Sequence, residues 1–145
     1  MRSDTGLPSL WALEGKWTLS RITKHSDGTE HRMAGEVDFQ RSGPRLTQVE
    51  KGVLTGGSNA PALQAMRRYI WVPADDWVDV HFDDMRPFHR VPLRKAEFET
   101  TYLCPPDRYE VHYVFSSWPE WATVWTVEGP RKSYVMTSNY TLHNV

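Results

Sequence analysis

The stretch Leu13-Glu14-Gly15-Lys16-Trp17-Thr18-Leu19, read together with Gly129-Pro130-Arg131-Lys132 near the other end of the chain, decides the fold. A Gly-x-Trp that opens the first strand, with a basic residue on the last one, is how small closed antiparallel barrels shut one end. In this reading Trp17 plugs the narrow end. The planar guanidinium of Arg131 lies across its indole face, a contact worth about 0.5–2 kcal/mol. The first and last strands are thereby clamped together, and the sheet keeps no free edge.

Working outward from Trp17, the chain alternates with period two. Trp17, Leu19, Arg21 and Thr23 fall on one face and Lys16, Thr18 and Ser20 on the other. Ser26-Asp27-Gly28-Thr29 is a turn signal. Met33, Gly35, Val37 and Phe39 then share a face, and Ser42-Gly43-Pro44 breaks the chain again. Further strand-like segments follow at 45–54, 64–72, 76–83, 87–93, 95–103, 108–116, 121–128 and 131–142. Short strands at even spacing predict an all-β fold, a single closed antiparallel up-and-down barrel of about ten strands. Pro8–Leu13 predicts one short helical turn, with Ser9 as a weak N-cap. A second short helix is predicted over Ala60–Met66, covering one barrel mouth.

The chain has 145 residues, which fits one domain over 1–145 with 1–9 as a lead-in. A net charge of −1 argues against an electrostatic nucleic-acid binder. Aromatic residues make up 12 %, with seven tryptophans, enough for a β core or an aromatic-lined pocket. Met1–Pro8 has no apolar run of signal-peptide length, and no stretch approaches the ~18–20 apolar residues that span a bilayer. We expect a soluble cytoplasmic protein with no membrane partner. Cys104 is the sole cysteine, so no intrachain bridge forms, and it reads as a small buried hydrophobe before Pro105-Pro106. Whether the chain pairs as a homodimer is open.

Parity from Trp17 places Arg21 inside, and the same bookkeeping puts Gln48 and Glu50 on one face of the third strand. The fourth strand has no purely apolar face. Arg67, Tyr69 and Trp71 lie on one side, and Met66, Arg68 and Ile70 on the other. We read the first set as inward, because an aromatic, hydrogen-bonding lining suits a ligand cavity; the alternative is a solvated Arg67 with Tyr69 and Trp71 as ordinary packing. His89 follows a tight turn and reads as a rim histidine, a general base or an axial ligand. His25, His31, His81 and His143 lie near turns or the C-terminus and read as hydrogen-bonded rim histidines, and His112 as outward-facing. Trp121 and Trp125 share a face. Asp107 is a turn or capping residue. No histidine pair has zinc spacing, a lone cysteine offers no thiolate cluster, and no Gly-rich phosphate loop opens a helix, so neither a metal nor a cofactor is expected.

These motifs resemble a bacterial family of unknown function whose members are whole-chain, lipocalin-like barrels. The resemblance rests on Leu13-Glu14-Gly15-x-Trp17-x-Leu19-x-Arg21, Tyr69-x-Trp71, Phe82-x-Asp84-x-Arg86-x-Phe88-His89, Cys104-x-Pro106-Asp107-x-Tyr109 and Trp125-x-Val127-x-Gly129-Pro130-Arg131-Lys132. It spans residues 10–142. The chain departs from the family pattern at Tyr102, at Ser133 and at Tyr140-Thr141-Leu142, where members carry His, Asp and a terminal Tyr-x-Arg.

The sequence therefore predicts a barrel that binds a small, partly apolar, anionic molecule. Arg21 and Arg67 supply charge, Tyr69, Tyr109 and His89 supply hydrogen bonds, and Trp71 and Trp125 stack. Glu50 balances only one of the two arginines. Two alternatives stand beside this. One is a lyase or isomerase with Glu50 or His89 as acid–base and Arg and Tyr as partners. The other is a haem-binding barrel, with His89 or His143 as the nearest ligand, or a barrel packed solid as an interaction module.

Overall fold

The computed structural model describes residues 6–56 and 61–143. Among them the chain forms one 3₁₀ turn, Leu10–Leu13, and ten strands: β1 Gly15–His25, β2 Glu30–Ser42, β3 Arg45–Gly56, β4 Leu63–Ala74, β5 Trp77–Phe82, β6 Pro87–Pro92, β7 Glu97–Cys104, β8 Asp107–Val114, β9 Trp121–Glu128 and β10 Ser133–Leu142. They build one antiparallel sheet in the order β6-β5-β4-β3-β2-β1-β10-β9-β8-β7. Consecutive strands pair throughout, and β1 pairs with β10, so the sheet curls until β6 and β7 face each other. That last seam carries no backbone ladder and is bridged by side chains, with Phe88 and Tyr102 ring centroids 5.1 Å apart.

Strand parity sorts the two faces. Trp17, Leu19 and Arg21 on β1, Val37 and Phe39 on β2, and Leu46, Gln48 and Glu50 on β3 are buried. Between them, Thr18 and Ser20 are exposed and Asp38, Thr47 and Val49 half-buried. Gly35 and Gly52 sit opposite one another across β2 and β3. A Cβ at either would run into the neighbouring strand's backbone, at 2.1 Å and 2.6 Å. These two positions let the strands approach where the sheet coils tightly.

The strand directions define two ends. The 3₁₀ turn, the start of β1 and the end of β10 lie at one end, which is sealed. Trp17 packs there on Trp118 and Trp121, its indole N–H donates to the Leu13 carbonyl at 2.9 Å, and Leu7, Leu10 and Leu13 are buried beside it. The expected clamp between Trp17 and Arg131 does not form. β1 and β10 run antiparallel, so Trp17 pairs with Leu142 and His25 with Tyr134. Arg131, just before β10, is therefore at the opposite end, about 30 Å away at strand rise, and is exposed. Lys132 does the binding in that block, donating to the Tyr109 hydroxyl at 2.7 Å beside Asp107 at 3.3 Å. Replacing Arg131 with alanine is accordingly expected to leave the unfolding free energy within about 0.5 kcal/mol of the parent in a urea titration.

Three further expectations change. The predicted helix over Ala60–Met66 is strand from Leu63 onward, and Ala60 lies outside the described residues. Ala, Leu, Gln and Met are good helix formers, but propensity yields to tertiary pairing, here the ladder of Val53 with Gln64 and Gly52 with Ala65. Cys104, at the end of β7, is exposed and free rather than buried. His89 is buried rather than on the rim. A bulge between Val80 and His81 shifts the register against β6, so Phe88 and His89 in succession both turn away from solvent. No helix among the described residues is long and apolar enough to cross a membrane.

Candidate functional site

The middle of the barrel is a polar chamber within an aromatic wall. Arg21 donates from one terminal nitrogen to Glu50 Oε1 at 2.8 Å and from Nε to the Ser138 hydroxyl at 2.7 Å. Glu50 Oε2 accepts from Gln48 Nε2 at 3.0 Å and from the Tyr140 hydroxyl at 3.1 Å. Gln48 in turn accepts the Trp71 indole N–H at 2.7 Å. Arg21 and Glu50 are 5 % and 2 % exposed, so this is a buried ion pair with its hydrogen-bonding capacity well used. Burial, then the adjacent Glu50 carboxylate, push the Tyr140 phenol well above its ordinary range, so it stays a proton donor. The space left among these groups is about 20 Å³, room for about one water molecule.

Arg67, Tyr69 and Trp71 do share the inward face of β4, and with Arg21, Glu50, His89 and Trp125 they line this chamber. Tyr109 does not. It sits nearer the open end, its hydroxyl held by Lys132. His89 Nε2 shares a 2.7 Å hydrogen bond with the Tyr113 hydroxyl, and its Nδ1 has no partner among the described residues. Burial alone pulls the His89 imidazole down to about 3 from an ordinary 6.5. The unfolded chain therefore takes up this proton near pH 6.5 and the folded chain only near 3. Stability from this group is fully present above pH 6.5 and is lost as the pH falls towards 3, by about 1.4 kcal/mol per unit. At pH 5 the loss is about 2 kcal/mol. His89→Phe should flatten the stability profile between pH 7 and pH 5 by that amount, and equal slopes in the two proteins would refute the assignment.

Above the chamber the interior divides. One half is filled by aromatic rings: Phe82 stacks on Phe88 at 4.6 Å, and Trp125 and Tyr102 meet Phe88 edge-on at 5.3 and 5.1 Å. The other half is an open cup of about 320 Å³ between β1, β2, β3, β4 and β10. Small-molecule pockets occupy roughly 300–1,000 Å³. Arg21 forms part of its floor, Met33, Leu54 and Met136 its apolar walls, and Arg67 one side. Arg67 is half-buried, its guanidinium 5.7 Å from the Trp125 ring centroid, and no carboxylate among the described residues lies within ion-pair distance. It borders the chamber and the cup alike.

Sequence reasoning missed the pair His25 and His31, whose Nε2 and Nδ1 stand 3.0 Å apart on the rim of the cup. The signal was there in the turn at Ser26–Gly28, which folds β1 back on β2 and brings the two rings together. His112 faces outward beside Glu97 at 3.3 Å, and His143 is exposed. Among the described residues no three His, Cys, Asp or Glu side chains cluster to hold a metal ion.

An up-and-down barrel of ten strands, sealed at one end and cupped at the other around a buried polar network, is a lipocalin-like barrel. Its sealed end and inward Arg21 come from the same Gly-x-Trp-x-Leu-x-Arg run that opens β1. The chain belongs to a family of unknown function (DUF6314), which it matches over residues 13–142. Among solved structures it resembles the S-type phycobiliprotein lyase CPES from Guillardia theta, with a TM-score of 0.61 at 5 % identity, covering 92 % of this chain and 89 % of that one. At that identity the likeness is one of fold. No curated protein matches the chain.

Proposed function

We propose that the chain binds a small, partly apolar anion in the cup, with Arg67 as its anchor. The observation that carries this is the charge balance of the interior. Arg21 is neutralised by Glu50 at 2.8 Å, whereas Arg67 faces the cavity with no acidic partner among the described residues. A half-buried guanidinium beside apolar walls favours a carboxylate or similar anion as its missing partner. Trp125 lies against Arg67, and Tyr69, beside it, has its phenol raised by burial and so remains protonated. The exposed free thiol of Cys104 is in keeping with a cytoplasmic setting.

The lyase or isomerase reading is weaker. Glu50 is engaged by Arg21, Gln48 and Tyr140, and the space around it is about 20 Å³, too small for a substrate to reach its carboxylate. A barrel serving only as a packed interaction module fits the chamber but not the cup.

A panel of aromatic and aliphatic carboxylates tests the reading. Trp125 borders Arg67, so a bound carboxylate should quench tryptophan fluorescence saturably, and Trp125→Phe should remove most of the change. A panel in which no carboxylate perturbs the emission would count against it.

A further inference from the structure

Resting on that reading, we infer that the His25–His31 pair is a second anion anchor, so that the cup takes a ligand carrying two acidic groups. Both rings border the same 320 Å³ cup as Arg67, and they reach it from a different wall. Tyr134 on β10 borders the same cup. Its ring centroid is 5.6 Å from that of His25, and its phenol feels the charge of Arg67.

The chemistry follows from the 3.0 Å contact between His25 Nε2 and His31 Nδ1. Two neutral imidazoles share one N–H between these atoms. Of the two outer nitrogens, one then carries hydrogen and the other is a bare acceptor. Adding one proton keeps the shared N–H and makes both outer nitrogens donors, with a single positive charge spread over the pair. An acid group next to it favours that state, so binding a second carboxylate takes up one proton.

The groups that face the pair are few. Asp27 lies in the β1–β2 turn, its carboxylate accepting from the Thr29 backbone N–H at 2.8 Å. Arg67 on β4 borders the same cup, and Tyr134 on β10, its phenol raised by burial, contributes a neutral hydroxyl. Glu30 and Arg32, flanking His31, are turned outward and paired with each other at 3.6 Å. The facing stretch of β3 brings Leu54 and Gly56, which do not titrate.

The probes are octanoate and octanedioate, equal in length and differing by one carboxylate. Isothermal titration at pH 6 and pH 8, in buffers of different ionisation enthalpy, reads both affinity and proton uptake. Octanedioate is expected to bind on the order of tenfold tighter than octanoate at pH 6, with the advantage shrinking at pH 8 and up to one proton taken up per molecule bound. His31→Gln and, separately, His25→Gln should erase the difference between the two probes and the proton uptake. Equal affinities in the parent protein, or an advantage that survives both substitutions, overturn this inference and leave the Arg67 anchor standing. Binding of neither probe overturns both.

Discussion

Glu50→Gln is expected to lower the unfolding free energy by about 3–5 kcal/mol, measured in urea at pH 7. The substitution preserves size and shape but strands the Arg21 guanidinium, 5 % exposed, without its counter-charge. A stranded carboxylate can escape by taking up a proton, whereas a guanidinium cannot give one up. Arg21→Met in the parent should therefore cost less than Glu50→Gln. Combining the two should recover much of the loss, because an apolar side chain in place of the cation leaves the amide of residue 50 to serve Gln48 and Tyr140 alone. The cycle isolates the pair: a strongly non-additive double variant is expected, and simple addition of the two losses would mean that the ion pair is not the stabilising unit.

Arg67→Met should weaken the tightest carboxylate found by the fluorescence panel by about 2–3 kcal/mol, roughly 30- to 150-fold in Kd. Methionine keeps much of the aliphatic stem that lies against Trp125 and removes only the charge and its donors. Because Arg67 has no ion-pair partner among the described residues, the same substitution should leave unfolding nearly unchanged. Binding and stability thus separate cleanly at this position, where at Glu50 they do not. A loss of stability with no loss of affinity would make Arg67 a structural residue.

What could be read from the sequence, and what could not, follows from how local each signal is. Strand extents were legible because alternation and turn chemistry are local. The stretch read at 121–128 is β9, and that at 45–54 is β3 less its last two residues. Arg21 was legible as inward because Trp17 sets the parity of their shared strand, whereas Arg67 and Trp71 on β4 were placed inward by the aromatic, hydrogen-bonding character of their face. The clamp failed because it joined two motifs without asking which ends of β1 and β10 meet; antiparallel pairing separates them by the barrel's full height. The rim reading of His89 failed, though its place among the cavity residues did not, because a bulge turns Phe88 and His89 inward in succession and leaves no mark in the sequence. The His25–His31 contact was missed because each histidine, taken alone near a turn, reads as an ordinary rim residue, and only the folded hairpin joins them.

The central claim is that one arginine of the interior is free for a ligand and the other is not. The most direct measurement is the two-dimensional ¹⁵N–¹H spectrum of the arginine Nε–H groups, assigned by Arg21→Met and Arg67→Met, during titration with the tightest carboxylate. The Arg67 resonance should shift and saturate with the fluorescence isotherm, while that of Arg21, its Nε–H donated to Ser138 at 2.7 Å, stays in place. A fixed Arg67 resonance, with the carboxylate bound and Arg21 moving instead, would contradict the account.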